Sequence, residues 1–138
     1  MLSHKEYTEK LRKSGLRPTK QRIKICEVLF NTDKTFHFTI SDLATLLERN
    51  FNQKVSLATI YNTVHSFKKK GYLKEISINR EKSYFDTNTS NHHHFLDVNT
   101  NELIDLKNQD VHNIKIKKRI PGKKINSIEV LVKIENSN

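Results

Sequence analysis

An α+β fold follows from three observations on the sequence. Apolar residues recur at helical spacing as far as Gly71, the period turns strand-like just after it, and Ile128 to Ile134 alternates strictly. Residues from about Ser3 to Ser14 read as a short polar helix closed by Gly15, which can take the left-handed backbone that ends a helix. Pro18 fits the first turn of a second helix, where its missing N–H costs nothing, and Ile23, Cys26, Val28, Leu29 and Phe30 supply its apolar positions. Thr39 or Ser41 can cap a third helix, on which Ile40, Leu43, Leu46 and Leu47 recur. Ser56 can cap a fourth, with Leu57, Ile60, Val64 and Phe67 on one face and Gly71 at its end. Tyr72 to Ile78 and Ser83 to Phe85, joined by the polar run Asn79 to Lys82, then read as a β-hairpin. Farther on, Glu102 to Leu106 and Ile128 to Ile134 read as strands, with Asp110 to Arg119 between them as a short helix. Three helices followed by a hairpin is the order of a winged helix-turn-helix, a DNA-reading unit. Residues 1–88 are therefore expected to form that domain. Residues 89–138 are expected to form a small α/β dimerisation domain, marginal at this size unless it pairs with a copy of itself.

Composition narrows the function. In 138 residues, 25 Lys and Arg against 15 Asp and Glu leave a net charge of +10, which puts polyanions first among partners. The excess is N-terminal, because residues 1–72 carry 14 basic and 6 acidic side chains, whereas residues 73–138 carry 11 and 9. A second basic run, Lys115, Lys117, Lys118, Arg119, Lys123 and Lys124, is balanced by acids elsewhere in that half. No apolar run approaches the roughly 18 residues of a membrane span, and the opening MLSHKEYTEK has no secretory pattern, so a cytoplasmic location without membrane contact is expected. A single cysteine allows neither an internal disulfide nor a Cys-rich zinc site. Cys26 lies on an apolar helix face and reads as core.

On the fourth helix the face opposite the apolar set is Ala58, Thr59, Tyr61, Asn62, His65 and Ser66. Small residues at its start allow close approach to a groove. Ser56 and Thr59 can bond phosphates at the positive helix end, Tyr61 can touch a thymine methyl or a phosphate, and Asn62 can pair bidentately with adenine. Lys68, Lys69 and Lys70 favour the helix C-terminus and can hold a DNA backbone.

The run Gly15-Leu16-Arg17-Pro18-Thr19-Lys20-Gln21-Arg22 and the helix Leu57-Ala58-Thr59-Ile60-Tyr61 resemble the ferric uptake regulator superfamily, across nearly the whole chain. More narrowly, Tyr61 to Phe67 and Tyr84-Phe85-Asp86-Thr87-Asn88 followed by His92-His93-His94-Phe95 resemble its iron response regulator branch. The resemblance implies that Tyr61 and Asn62 read bases and that Arg17 reaches the minor groove.

His92, His93 and His94 are the sharpest chemical feature, because neutral imidazoles bind zinc, iron or haem iron, and three in a row in a loop present at least two to one ion. In an extended segment His92 and His94 point to the same side. The resemblance makes this triplet the haem-responsive element. It also implies that His37, Asp86, His94 and Asp105 correspond to the family's metal site, a nitrogen and oxygen set suited to Zn(II), Mn(II) or Fe(II). The Cys-Pro haem motif of some branch members and the Cys-x-x-Cys pairs of many relatives are missing. His65 stands either on the DNA face or beside a secondary haem contact, while His4 and His112 read as surface residues.

The expected function is a repressor that binds an AT-rich inverted repeat of double-stranded DNA as a homodimer and releases it on binding haem. Two alternatives are a repressor using Fe(II), Zn(II) or Mn(II) as co-repressor and a basic RNA-binding protein, the latter lacking an aromatic-rich RNA-binding strand motif. An enzyme is not expected: there is no HExxH helix, no phosphate-cradling glycine loop, and only three glycines in the chain.

Overall fold

Side-chain oxygens set the start of each of the four helices among the described residues, which in this computed structural model are 2–138. Before α1 (His4–Lys13) the Ser3 hydroxyl accepts the Glu6 N–H, and before α2 (Lys20–Phe30) the Thr19 hydroxyl accepts that of Arg22. Before α3 (Ile40–Phe51) Thr39 and Asp42 satisfy each other's backbone N–H in a capping box, and before α4 (Leu57–Lys70) Ser56 accepts the Thr59 N–H. Pro18 thus stands two residues before the second helix, next to its cap Thr19, rather than in its first turn. The ring pushes Arg17 away from helical backbone, and the first oxygen able to cap is that of Thr19. Gly71 closes α4 with φ +91°, and Asn52 closes α3 in the same left-handed region.

The helices bury one core, in which Leu11, Ile25, Cys26, Leu29, Leu43, Leu47, Ile60, Val64 and Phe67 are inaccessible to solvent or nearly so. Each such aliphatic or aromatic side chain contributes roughly 1.5–3 kcal/mol by leaving water. Leu57 departs from expectation. It is 58% exposed, because the first turn of α4 runs past the core and the inward face is completed by Thr63 instead. The wing is a three-stranded antiparallel sheet in the order β1 (His37–Phe38), β3 (Ser83–Asp86), β2 (Lys74–Ser77). Its turn is held by Asn79 Oδ1, which accepts the N–H groups of Glu81 and Lys82. The short first strand, too brief to show in the sequence, is anchored by the fully buried Phe38 opposite Phe85, and this register sets His37 opposite Asp86.

A second compact unit runs from Ser90, the first ending at Thr89. Its sheet has β4 (His93–Asp97) at the centre, antiparallel to β5 (Leu103–Leu106) and parallel to β6 (Leu131–Ile134). The histidine triplet is therefore not a loop: His93 and His94 belong to the central strand. The last strand is shorter than its alternation suggested, since β4 offers partners only from Leu131 to Ile134. The helix expected over Asp110 to Arg119 does not form. One 3₁₀ turn, Asn108–Asp110, is followed by irregular backbone. Helical winding would stack Lys115 on Lys118 and Arg119, crowd branched isoleucines and meet Pro121.

Candidate DNA interface and metal centre

On α4, Ser56, Ala58, Tyr61 and Asn62 are exposed and Thr59 is half-buried. Ser56 is already engaged, for its hydroxyl donates to Thr59 Oγ1 (2.9 Å) while accepting the Thr59 N–H (3.1 Å). It orients Thr59 rather than standing ready for a phosphate. Beside Thr59 opens a cleft of about 540 Å³ whose other walls are Arg17, Thr19, Lys20, Gln21 and Arg22. Three cations around a helix N-terminus make an anion-attracting surface. Arg22 donates from Nη1 to the Arg17 carbonyl (3.0 Å), which steadies the exposed Arg17 segment. Tyr61 is 51% exposed and stacks on His65, ring centroids 5.5 Å apart and planes 9° from parallel, so His65 lies on this face. Of the three terminal lysines, Lys68 is tied to the wing through Glu75 (2.6 Å), leaving Lys69 and Lys70 exposed.

The chemistry-bearing histidines fall into two groups, one in each unit. In the first, His37 Nε2 faces Asp86 Oδ2 at 4.0 Å. Asp86 is 1% exposed, and its Oδ1 accepts the Asn88 N–H (2.8 Å), which fixes the carboxylate. In the second, the β4–β5 register sets His94 opposite Asp105, and both His92 Nε2 and His94 Nε2 lie 3.4 Å from the same oxygen, Asp105 Oδ1. The His92 and His94 ring centroids are 4.4 Å apart, on one side of the chain, as alternation along an extended segment requires. His93 is turned away. Its Nδ1 accepts the Val130 N–H (3.0 Å), which spends that nitrogen on the β4–β6 side of the sheet. The triplet therefore does not present three imidazoles together.

His92 also donates from Nδ1 to the Ser90 carbonyl (2.8 Å). A carbonyl only accepts, so Nδ1 carries the hydrogen and the neutral ring's lone pair sits on Nε2, aimed at a carboxylate oxygen. Two electron-rich atoms facing each other call for a cation or proton between them. Ligands about 2.1 Å from one ion at tetrahedral angles stand about 3.4 Å apart, so the spacing suits joint coordination, and the Ser90 contact is the outer hydrogen bond that orients a ligating imidazole. His92, assigned only to haem from the sequence, is thus a metal-ligand candidate as well. The His-x-His spacing was the signal for it.

Cys26 belongs to neither group: it is inaccessible to solvent, and burial pushes its thiol up to about 12. His4 and His112 are exposed. Among the described residues no helix is long and apolar enough to cross a membrane.

A helical bundle ending in a three-stranded wing, with an exposed helix beside a cationic cleft, defines the winged-helix DNA-binding class. The chain belongs to the ferric uptake regulator family, a family of transcriptional regulators whose members bind DNA as dimers; the family's sequence model matches residues 13–133. It is 36% identical over 102 residues to the peroxide operon regulator of Bacillus subtilis (strain 168), covering 74% of this chain and 68% of that protein. The fold is also that of the ferric uptake regulator from Pseudomonas aeruginosa with manganese (TM-score 0.67, 21% identity, 96% of this chain and 98% of that one). It is likewise that of the Vibrio cholerae ferric uptake regulator (TM-score 0.69, 19% identity, 94% and 98%).

Proposed function

We propose that the protein is an iron-responsive repressor that binds an AT-rich inverted repeat as a homodimer in the cytoplasm, and that His37, Asp86, His92, His94 and Asp105 serve one divalent ion on which DNA binding depends. The observation that carries this reading is the aim of His92 and His94 at one carboxylate oxygen, with the His92 tautomer set by Ser90. Neither group suffices alone, since a nitrogen and a carboxylate from the first and two nitrogens and a carboxylate from the second each leave an ion short of ligands. Together, three imidazoles and two carboxylates suit Fe(II), Mn(II) or Zn(II), and five donors leave one octahedral position open. The manganese named with the Pseudomonas structure is compatible with such an ion. On the DNA side, Tyr61 and Asn62 read bases, Arg17 and Thr59 hold the backbone, and Ser56 positions Thr59.

The experiment is direct binding of Mn(II) to chelator-treated protein, followed by electron paramagnetic resonance. One ion per chain is expected, with affinity lost in Asp86→Asn and in Asp105→Asn. Unchanged binding in both variants would remove the site.

A second reading makes haem the signal that releases DNA. It rests on the adjacency of His92 and His94, since an Fe(III) porphyrin leaves axial positions that imidazoles fill, and on the iron response regulator resemblance. His92 and His94 are little exposed, so haem would have to draw them out of their present packing, away from Asp105. The two readings have opposite signs: the ion strengthens DNA binding and haem weakens it.

A further inference from the structure

The stretch between Asp110 and Glu129 holds Lys115, Lys117, Lys118, Arg119, Lys123 and Lys124 and no acidic residue. Its backbone is irregular, its one reversal is the turn in which Lys123 N–H donates to the Ile120 carbonyl (3.1 Å), and residues 112–127 are exposed. The acids of the same unit lie elsewhere: Asp97, Glu102 and Asp105 belong to the β4–β5 hairpin, and Asp110, Glu129 and Glu135 lie outside the basic stretch. Among the described residues none of the six cations makes an ion pair or rests on an aromatic ring. A solvated surface ordinarily mixes the signs. Here six unanswered positive charges are carried on a segment that the sheet does not hold, while the rest of the unit is net acidic.

We propose that this segment is a second DNA-backbone contact, separate from the winged helix, that adds affinity without reading sequence. It rests on the DNA-binding reading above. The charge selects a polyanion, and a duplex is the polyanion already at hand once α4 is seated. Lysine and arginine side chains on an extended backbone can follow phosphates without a fixed geometry. Isoleucines 114, 116, 120 and 125, all substantially exposed, offer no hydrogen bonds to base edges, so no sequence preference is expected from the segment.

The test measures binding of a fluorescent AT-rich duplex of about 40 base pairs by anisotropy, between about 50 and 200 mM salt. Wild type is compared with the quadruple variant Lys117→Gln, Lys118→Gln, Lys123→Gln, Lys124→Gln and with its charge-preserving Lys→Arg counterpart. Each phosphate contact contributes about 0.9 to the slope of log affinity against log salt. The Gln variant is expected to lose about 2–4 from that slope and at least tenfold in affinity at low salt, the Arg variant to match wild type, and preference for operator over random duplex to stay unchanged in both. An unchanged slope in the Gln variant, or a loss that the Arg variant shares, would overturn the proposal. Wild-type protein that ignores duplex DNA even at low salt would instead sink the DNA-binding reading itself. Because every substituted side chain is exposed, thermal melting of the variants should match wild type, which separates lost contacts from lost fold.

Discussion

Tyr61 and His65, one turn apart on α4, stack with ring planes 9° from parallel, which holds the exposed tyrosine ring to one side of the helix. A preoriented aromatic gives up less freedom on meeting a base than a free one would. Tyr61→Ala should therefore weaken binding to the operator by about 10–100-fold, in line with the roughly 1–3 kcal/mol carried by a base contact, with little change on random duplex. Lys69→Ala should weaken both about equally. Competition binding against random DNA measures the difference; equal losses on both DNAs for Tyr61→Ala would mean that α4 does not read bases.

Lys68 and Glu75 join the end of α4 to the wing at 2.6 Å. The Lys68 hydrogen bond, followed by that of Ser83, holds the Glu75 carboxyl below its ordinary value of about 4.5. The sign follows from linkage: a lowered folded-state value stabilises the fold above the ordinary carboxylate range and loses that contribution as pH falls through the folded value. Glu75→Gln should make acid unfolding less steep below about pH 4.5 and cost under about 1 kcal/mol at neutral pH, the pair being partly exposed. Urea titrations at pH 7 and at pH 3.5 check both; a variant whose loss grows on acidification would contradict the assignment.

Cys26 is inaccessible, and its thiol is pushed up to about 12 by burial, so it carries no thiolate at neutral pH. Iodoacetamide at pH 8 should leave it unmodified in native protein and label it fully in urea. Mass spectrometry that finds rapid native labelling would reopen Cys26 as a metal or haem ligand.

Helices were legible in the sequence because each carries its own punctuation: a capping Ser or Thr, an apolar period, and a closing residue such as Gly71. The strands of the second unit were less so. β4 reads His-His-Phe-Leu-Asp, where a polar pair interrupts the alternation that would have marked a strand, and only pairing with β5 and β6 on both edges makes it one. β1 is two residues long and exists because Phe38 is buried against Phe85. Of the site residues, the His37–Asp86 and His94–Asp105 pairings rest on register between strands distant in sequence, which local periodicity cannot reveal. The separation of His93 from its two neighbours followed from period-two alternation once the segment proved to be extended.

Whether His92 and His94 carry the metal signal to DNA is decided by operator affinity under four conditions: chelator, Mn(II), haem, and Mn(II) with haem. Wild-type protein and the double variant His92→Ala, His94→Ala are measured side by side. An effector moves the equilibrium only by its differential affinity for the two states, so wild-type affinity should rise more than tenfold with Mn(II), while a fall when haem is added to the manganese form is expected on the second reading alone. The double variant should bind with the chelator-treated affinity in all four. A variant that still gains affinity with Mn(II) as wild type does would contradict the role given to His92 and His94.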